Sequence, residues 1–459
     1  MHEAYLDLGG MAMAEEMRRG RMPVDEARAR ILRVIPIEKH HEKVSIVASL
    51  GRVLVEDIAA PLDVPPFDYS AMDGYAVRAA DVVHASVDSP VRLRVAGRVG
   101  AGMVGSRPTQ SGQAWRVLTG APIPDGADAV VPYEWVRAVD PDGSATGSVP
   151  VGFGGWTGRP DVDESAVDVT VPVEAGDDVR RRGEDQRAGS VAIRAGSRVR
   201  PAEVAVLASL GRSWVWVTRQ LRIGVLSTGD ELVARDHAGP PPPGAIRDAN
   251  GPGLMAMVAR DGCVPVDLGQ ARDDVSAIRG AFMLALELGC DAIISSGGVS
   301  MGDRDMVRHV VQGDGDLTIW SIDLRPGKPF AFGNVRGVPV FGLPGNPVSA
   351  LVTYELLVAP VLRRMQGDRG VGLLEVPAVA SVPMTNDSGR EQFMRGVARD
   401  QRDGDGRLTW HVRPTGPQGS GLLSSLAQSN CLIRLPATAR SVDAGESVTV
   451  VLPGASPLL

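Results

Sequence analysis

The sequence predicts a multidomain chain in which a parallel-sheet α/β domain is flanked by a β-rich N-terminal module and a small C-terminal β barrel or sandwich. Three observations predict it. The 459 residues exceed what one core organises and suggest about three domains. From residue 222 onward, apolar runs of strand length alternate with amphipathic stretches of helical period, which implies right-handed βαβ crossovers. On either side of that region the runs are short, alternate in polarity, and are broken by Gly, Pro and Asp.

The elements follow in chain order. Pro23 opens a helix with Asp25 and Glu26 in its first turn, where the helix dipole favours acids, and Ile31 and Leu32 on its apolar side. Residues 44–50 read as a second helix with Gly51 as its stop. Residues 60–200 read as β-rich, with strands near 91–95 and 129–131 and a long surface excursion over 139–178, crowded with Gly, Asp and Ser. A helix over 203–210 leads into strands at 223–226, 264–268, 292–294 and 338–341. Between them, Ile278, Phe282 and Leu286 recur every fourth residue in a helix over 275–288, capped by Asp273 or Asp274. A closing helix over 348–365 has Pro347 in its first turn. Strands at 408–412, 431–435 and 447–452 complete the chain. The expected domains are 1–50 with 191–218 (helical linker), 51–190 (β-rich), 219–370 (α/β) and 371–459 (barrel).

Composition narrows the function classes. Apolar residues at 44% and charged residues at 22% are ordinary for a globular protein. A net charge of −7 and 4% aromatics argue against a nucleic-acid partner, which needs basic and stacking surfaces. No apolar run reaches membrane-spanning length, so no membrane partner is expected. Glu3, Asp7, Glu15 and Glu16 do not make a signal peptide, and the expected location is cytoplasmic. Cys263, Cys290 and Cys431 are far apart and read as buried small hydrophobes. The His40-His41 pair lacks partners at zinc-ligand spacing.

The chemistry concentrates in three turns, each following an apolar run: Ser295-Ser296-Gly297-Gly298-Val299-Ser300-Met301-Gly302-Asp303-Arg304-Asp305, Arg325-Pro326-Gly327-Lys328-Pro329 and Leu343-Pro344-Gly345-Asn346-Pro347. A turn leaving the carboxyl end of a buried strand presents N–H groups that no ladder uses, and a following helix aims its positive end at the same place. Phosphate is the natural guest, with acids such as Asp303 and Asp305 able to bring a hard cation beside it. Two motifs mislead. Gly298-x-Ser300-x-Gly302 fits a serine-hydrolase elbow, with His411 downstream. However, Ser295, Ser296 and Gly297 separate it from the strand, and no His-Gly-Gly segment precedes it. Gly251-x-Gly253-x-x-Ala256 fits a dinucleotide turn but lacks a hydrophobic strand before it; a helix start with Asn250 as N-cap explains it.

The chain resembles one family along most of its length, the molybdopterin molybdenumtransferases of the MoeA and gephyrin E-domain group. The resemblance rests on Pro65-Pro66-Phe67-Asp68-Tyr69-Ser70-Ala71-Met72-Asp73-Gly74-Tyr75-Ala76-Val77, Leu118-Thr119-Gly120-Ala121-Pro122, Arg182-Gly183-Glu184-Asp185, Leu226-Ser227-Thr228-Gly229-Asp230-Glu231-Leu232 and the three turns above. It implies that the α/β domain binds molybdopterin. The implied reaction inserts molybdate into adenylylated molybdopterin and releases AMP, with Mg2+. It also implies a homodimer, exchange with a molybdopterin adenylyltransferase and with molybdoenzyme acceptors, and a cleft shared between subunits. The alternatives are adenylyltransferase-like activity or a non-catalytic pterin-binding scaffold.

By the same resemblance, Asp68, Asp185, Glu231, Asp274 and Asp305 are the catalytic acids, and Glu231, Asp274 and Asp305 the metal ligands. Ser70, Asp73, Thr119, Ser296, Gly297, Gly298, Ser300, Asp303, Arg325, Lys328, Pro344, Gly345 and Asn346 would bind substrate. The substrate's dithiolene sulfurs are themselves the soft ligands for molybdenum, so the site needs no cysteine. Structural readings stand beside these: helix caps for Asp274, Asp303 and Asn346, and ordinary solvated cations for Arg325 and Lys328. The chain departs from many relatives at Ser321, where a basic residue is usual, and in its longer, more acidic 139–178 segment.

Overall fold

The computed structural model describes residues 22–139, 145–146, 165–299, 306–402 and 408–455. The chain divides into two compact units, one of Met1–Glu56, Ala195–Val204 and Trp214–Leu459, the other of Asp57–Arg194 and Ala205–Ser213.

The first unit is built on a six-stranded sheet in the order Val264–Ala271, Arg222–Thr228, Ala292–Ser296, Val338–Leu343, Pro329–Val335, Gly315–Ser321. The first four strands are parallel and the last two pairings antiparallel. Ile223, Val225 and Leu226 are fully buried, as are Ile293 and Ile294 in the next strand, which is why these runs are apolar without alternation. The antiparallel extension comes from a two-residue hairpin in which Arg336 and Gly337 both take positive φ, 49° and 86°.

Helices cover both faces. On one, Val275–Glu287 begins at Asp274, whose carboxylate accepts from the N–H groups of Ser276 and Ala277. It buries Ile278, Phe282 and Ala285 and stops before Gly289, held at φ 67°. With Val307, Val310 and Val311 of Met306–Asp314 these residues form one core. Each large apolar side chain so buried stabilises the fold by about 1.5–3 kcal/mol. On the other face, Val24–Val34, Asn250–Arg260 and the helical run from Pro347 to Met365 pack around Leu254, Val258, Tyr354 and Leu357. That closing run contains a π-helical stretch at Tyr354–Val358.

The C-terminal part of this unit is a closed ring of five strands. Glu391–Arg402 pairs with Leu408–Pro414 on one side and Cys431–Leu435 on the other; Ser447–Val451 and Glu375–Ala380 complete the circle. All three cysteines of the chain are buried and free, as their spacing predicts. Burial pushes the Cys263 thiol up to about 12 and the Cys431 thiol up to about 11, which leaves both unreactive. No described helix is long and apolar enough to cross a membrane.

The second unit centres on a seven-stranded sheet in the order Ala129–Pro132, Gly74–Val77, Gln113–Val117, Val91–Val99, Ala166–Val169, Val136–Val139, Ala145–Thr146. Tyr75, Leu93, Val131 and Val167 share its core.

Two elements differ from the reading of the sequence. Residues 44–50 are not a helix: His41–Ser45 is a strand pairing with Trp214–Thr218, and a turn then runs to Gly51 at φ 76°. The 139–178 segment is not wholly a surface excursion, because Ala166–Val169 is a buried strand between Val91–Val99 and Val136–Val139. Residues 140–144 and 147–164 of that segment lie outside the described residues.

Candidate functional site

Parallel pairing sets the site. Ser227 pairs with Ser296, and Ser296 with Leu343, so three adjacent strands end at one height and their turns emerge side by side. Between the turns lies a cavity of about 430 Å³. Ser227, Thr228 and Glu231 line it from the first turn and Ser296, Gly297, Gly298 and Val299 from the second. Pro344, Gly345 and Asn346 come from the third, and Asp248, Asn250 and Asp273 from two neighbouring connections. Two helices, Asn250–Arg260 and Pro347–Thr353, begin at its wall.

Hydrogen bonds lock the turns together. Gly297 donates its N–H to the Leu343 carbonyl at 3.0 Å, and Gly229 donates its N–H to Ala271 at 3.2 Å. Gly297 and Gly298 hold φ of 94° and 65°, and a Cβ on Gly297 would stand 2.4 Å from the Thr228 carbonyl oxygen. Glycine is required there for both conformation and space. The Glu231 carboxylate folds back over Gly229, where a Cβ would meet its Oε2 at 2.6 Å. Asp248, almost fully buried, is held by Arg235, which also pairs with Asp267. Asp248 therefore brings little uncompensated charge, and Glu231 and Asp273 are the other acids of the wall.

The structure thus brings together Glu231, Ser296, Gly297, Gly298, Pro344, Gly345 and Asn346 from the expected set. Asp274 is not at the wall. Its oxygen bonds Ser276 and Ala277, each at 2.9 Å, and the Ala277 N–H, then the Ser276 contacts, hold its carboxyl below the usual range. The neighbouring Asp273 takes the cavity position instead. Asp274→Ala is therefore expected to lower thermal stability by loss of a cap while leaving turnover within about twofold of the parent. A differential scanning profile beside a turnover assay checks this.

Arg325 lies exposed in the short strand Leu324–Arg325, and Lys328 precedes Pro329, the residue of that turn that lines the cavity. Ser321 ends the strand Gly315–Ser321, its hydroxyl buried and without a partner among the described residues. Ser300, Asp303 and Asp305 lie outside the described residues. Asn346 occupies the N-cap position of its helix but makes no side-chain cap bond, leaving the amide to the cavity.

In the second unit the expected residues close turns. Asp68 pairs with Arg181 at 2.8 Å and accepts the Arg182 N–H at 2.7 Å. Burial pushes its carboxyl up, but the Arg182 N–H and the Arg181 guanidinium outweigh this and hold it below the ordinary range. Asp73 accepts from both the N–H and the hydroxyl of Thr119, at 2.6 and 2.8 Å. The Ser70 hydroxyl donates to Met72 in its own turn. Asp185 is exposed, its N–H donating to Val64.

The reading of the sequence missed Asn250, Ser227 and Asp273. Asn250 is not the N-cap: Ala249 holds that position without a side-chain cap bond, the Asp248 carboxylate accepts the Gly251 N–H at 2.9 Å, and Asn250 turns inward. The signal was present: two capping-type residues, Asp248 and Asn250, stand around the start of one helix that needs a single cap.

The chain is similar to known proteins along most of its length. Residues 22–211 match the MoeA N-terminal region (domain I and II), 224–364 a probable molybdopterin binding domain, and 377–452 the MoeA C-terminal region (domain IV). The chain is 36% identical over 430 residues to a molybdopterin molybdenumtransferase of Haemophilus influenzae, covering 94% of this chain and 98% of the relative. It is 33% identical over 438 residues to one of Bacillus subtilis, covering 95% of each. A crystal structure of the molybdopterin biosynthesis moeA protein from Pyrococcus horikoshii OT3 superposes with a TM-score of 0.75 at 30% identity, over 94% of this chain and 100% of that one. The chain belongs to the molybdopterin molybdenumtransferase family.

Proposed function

We propose that this protein inserts molybdenum from molybdate into adenylylated molybdopterin, cleaving the phosphoanhydride and releasing AMP. The observation that carries the proposal is the cavity at the carboxyl ends of three parallel strands, walled by the Ser296–Gly298 and Pro344–Asn346 turns with Glu231 and Asp273 beside them. Such a wall suits a ligand that is anionic at one point and must meet a cation at another. The turns offer close backbone approach to the pyrophosphate. Ser296 and Asn346 add polar contacts, and the enzyme's contribution is positioning and charge neutralisation.

The residues fit Mg2+. Among the described residues no group of three or more His, Cys, Asp or Glu converges as a cage. Two carboxylates with phosphate oxygens completing the shell is the usual magnesium arrangement, and Glu231 and Asp273 would supply them. When bound, Mg2+ would neutralise the pyrophosphate and polarise the bond that breaks. Without it, these two acids would repel the phosphates they border. Asp305 and Asp303 join this acid set by resemblance, and Arg325 and Lys328 supply positive charge toward molybdate. Asp68, Ser70, Asp73, Thr119 and Asp185 serve the cleft of a partner copy in a homodimer. A molybdopterin adenylyltransferase would supply the substrate and molybdoenzymes would accept the product.

The test is release of AMP from adenylylated molybdopterin by the full chain with molybdate and Mg2+. Binding of the pterin nucleotide without AMP release would leave only a scaffold role. ATP-dependent adenylylation of free molybdopterin would instead support the adenylyltransferase alternative.

A further inference from the structure

The cavity wall carries more negative charge than positive. Glu231 and Asp273 stand on it, and Asp248 is offset by Arg235. Among the described residues, Arg247 is the one cationic residue lining the cavity. It belongs to the short parallel pairing of Leu232–Val233 with Ile246–Arg247, which joins the two ends of a proline-rich loop over 234–245. Its guanidinium donates to the carbonyl of His237, at 3.1 Å, and to that of Gly239, both in the loop. Both partners are neutral, so among the described residues no carboxylate offsets its charge. Asp248, the acid beside it in the chain, is already taken by Arg235. A guanidinium has five N–H donors, and two carbonyl contacts leave three. Arg247 is exposed, so a ligand can reach it.

A cation held in place, uncompensated and accessible, binds an anion at low cost in side-chain entropy. Its planar fork also matches two oxygens of one phosphate. We infer that Arg247 is a phosphate-binding residue of this cavity, taking a phosphate group of the ligand through the donors that the loop leaves unused. The inference rests on the proposed function, whose substrate carries phosphate at both its pterin side chain and its nucleotide. Arg247 would give the ligand a permanent cation in addition to the Mg2+ that Glu231 and Asp273 would bring. Latching of the loop is a separate effect. Its loss would change affinity for phosphorylated and unphosphorylated ligands alike, whereas loss of the charge falls on the phosphorylated ones.

Titration calorimetry on the full chain with Mg2+ separates the two, using AMP against adenosine and 6-hydroxymethylpterin monophosphate against 6-hydroxymethylpterin. In at least one pair the phosphorylated form should bind about tenfold or more tightly, the scale of a charge-assisted hydrogen bond. The pair that responds to substitution tells the nucleotide phosphate from the pterin phosphate. Arg247→Ala should cut that preference by about tenfold or more while sparing the neutral partner. Arg247→Gln, which keeps an amide donor for the loop but no charge, should do the same, and Arg247→Lys should recover part of it. Equal losses for phosphorylated and neutral ligands would leave Arg247 a loop latch and overturn the inference. So would a preference undiminished in Arg247→Ala, no preference in the parent, or no binding of any of the four at millimolar concentration. Should Arg247→Ala fail to fold, the contrast between Arg247→Gln and Arg247→Lys decides the matter. AMP release with parent-like phosphate preference in Arg247→Ala sinks this inference alone. A preference abolished in Arg247→Ala, without AMP release by the parent, sinks the transferase reading alone.

Discussion

Gly297→Ala is expected to lower kcat/KM by at least about a hundredfold, the scale associated with losing a positioned backbone donor. The added Cβ would lie 2.4 Å from the Thr228 carbonyl oxygen and 2.6 Å from its hydroxyl, so one of the two segments must move. Thr228 ends a strand hydrogen-bonded on both sides and cannot readily yield. The φ of 94° adds a conformational cost of about 1–2 kcal/mol for an alanine. Gly297 therefore shifts, breaking its bond to Leu343 and carrying Ser296 away from Pro344. The core beneath is untouched, so a folded, inactive chain should result. Steady-state AMP release with thermal unfolding checks this. Gly280→Ala is the control, because nothing lies within 4 Å of a Cβ on that exposed helical residue. Parent-like activity in Gly297→Ala would show that this turn does not cradle the phosphates.

The second large effect falls on the acids. Glu231→Gln and Asp273→Asn should each lower kcat by roughly a hundredfold to a thousandfold, with the loss partly recovered at high Mg2+. Glu231 is exposed on its turn and contributes nothing to a core, so stability should be almost unchanged. Turnover followed across a magnesium titration is the measurement. A kcat that stays near the parent value, or a magnesium dependence that does not move, would remove these carboxylates from the proposed cation site. Asp274→Ala, with its opposite pattern of lost stability and kept turnover, serves as the neighbouring control.

Much of this was legible in the sequence because the signals were local. The fourfold recurrence of Ile278, Phe282 and Leu286 marks a helix, and the glycines after 294 mark a turn that other residues could not adopt. The strand His41–Ser45 was not legible, because its partner Trp214–Thr218 lies far along the chain and no local pattern reveals the pairing. Ala166–Val169 was masked by its polar surroundings for the same reason. In the site, residue type announced the turns, but it could not tell which of two adjacent aspartates caps a helix and which faces the cavity. Asp273 and Asp274 differ only in direction, and tertiary packing sets direction. Asn250 was misread because asparagine suits a cap so well that the cheaper explanation hid the other.

The ring formed by Glu375–Ala380, Glu391–Arg402, Leu408–Pro414, Cys431–Leu435 and Ser447–Val451 has a consequence for how the protein survives in a crowded solution. Each of these five strands is bonded to a neighbour on both sides, and among the described residues only the short strand Leu324–Arg325 adds to the ring from outside, so little bare edge is left onto which a neighbouring chain could add itself. Losing Ser447–Val451 would undo that at a stroke, exposing two flanks at once and turning a self-contained module into a template for aggregation.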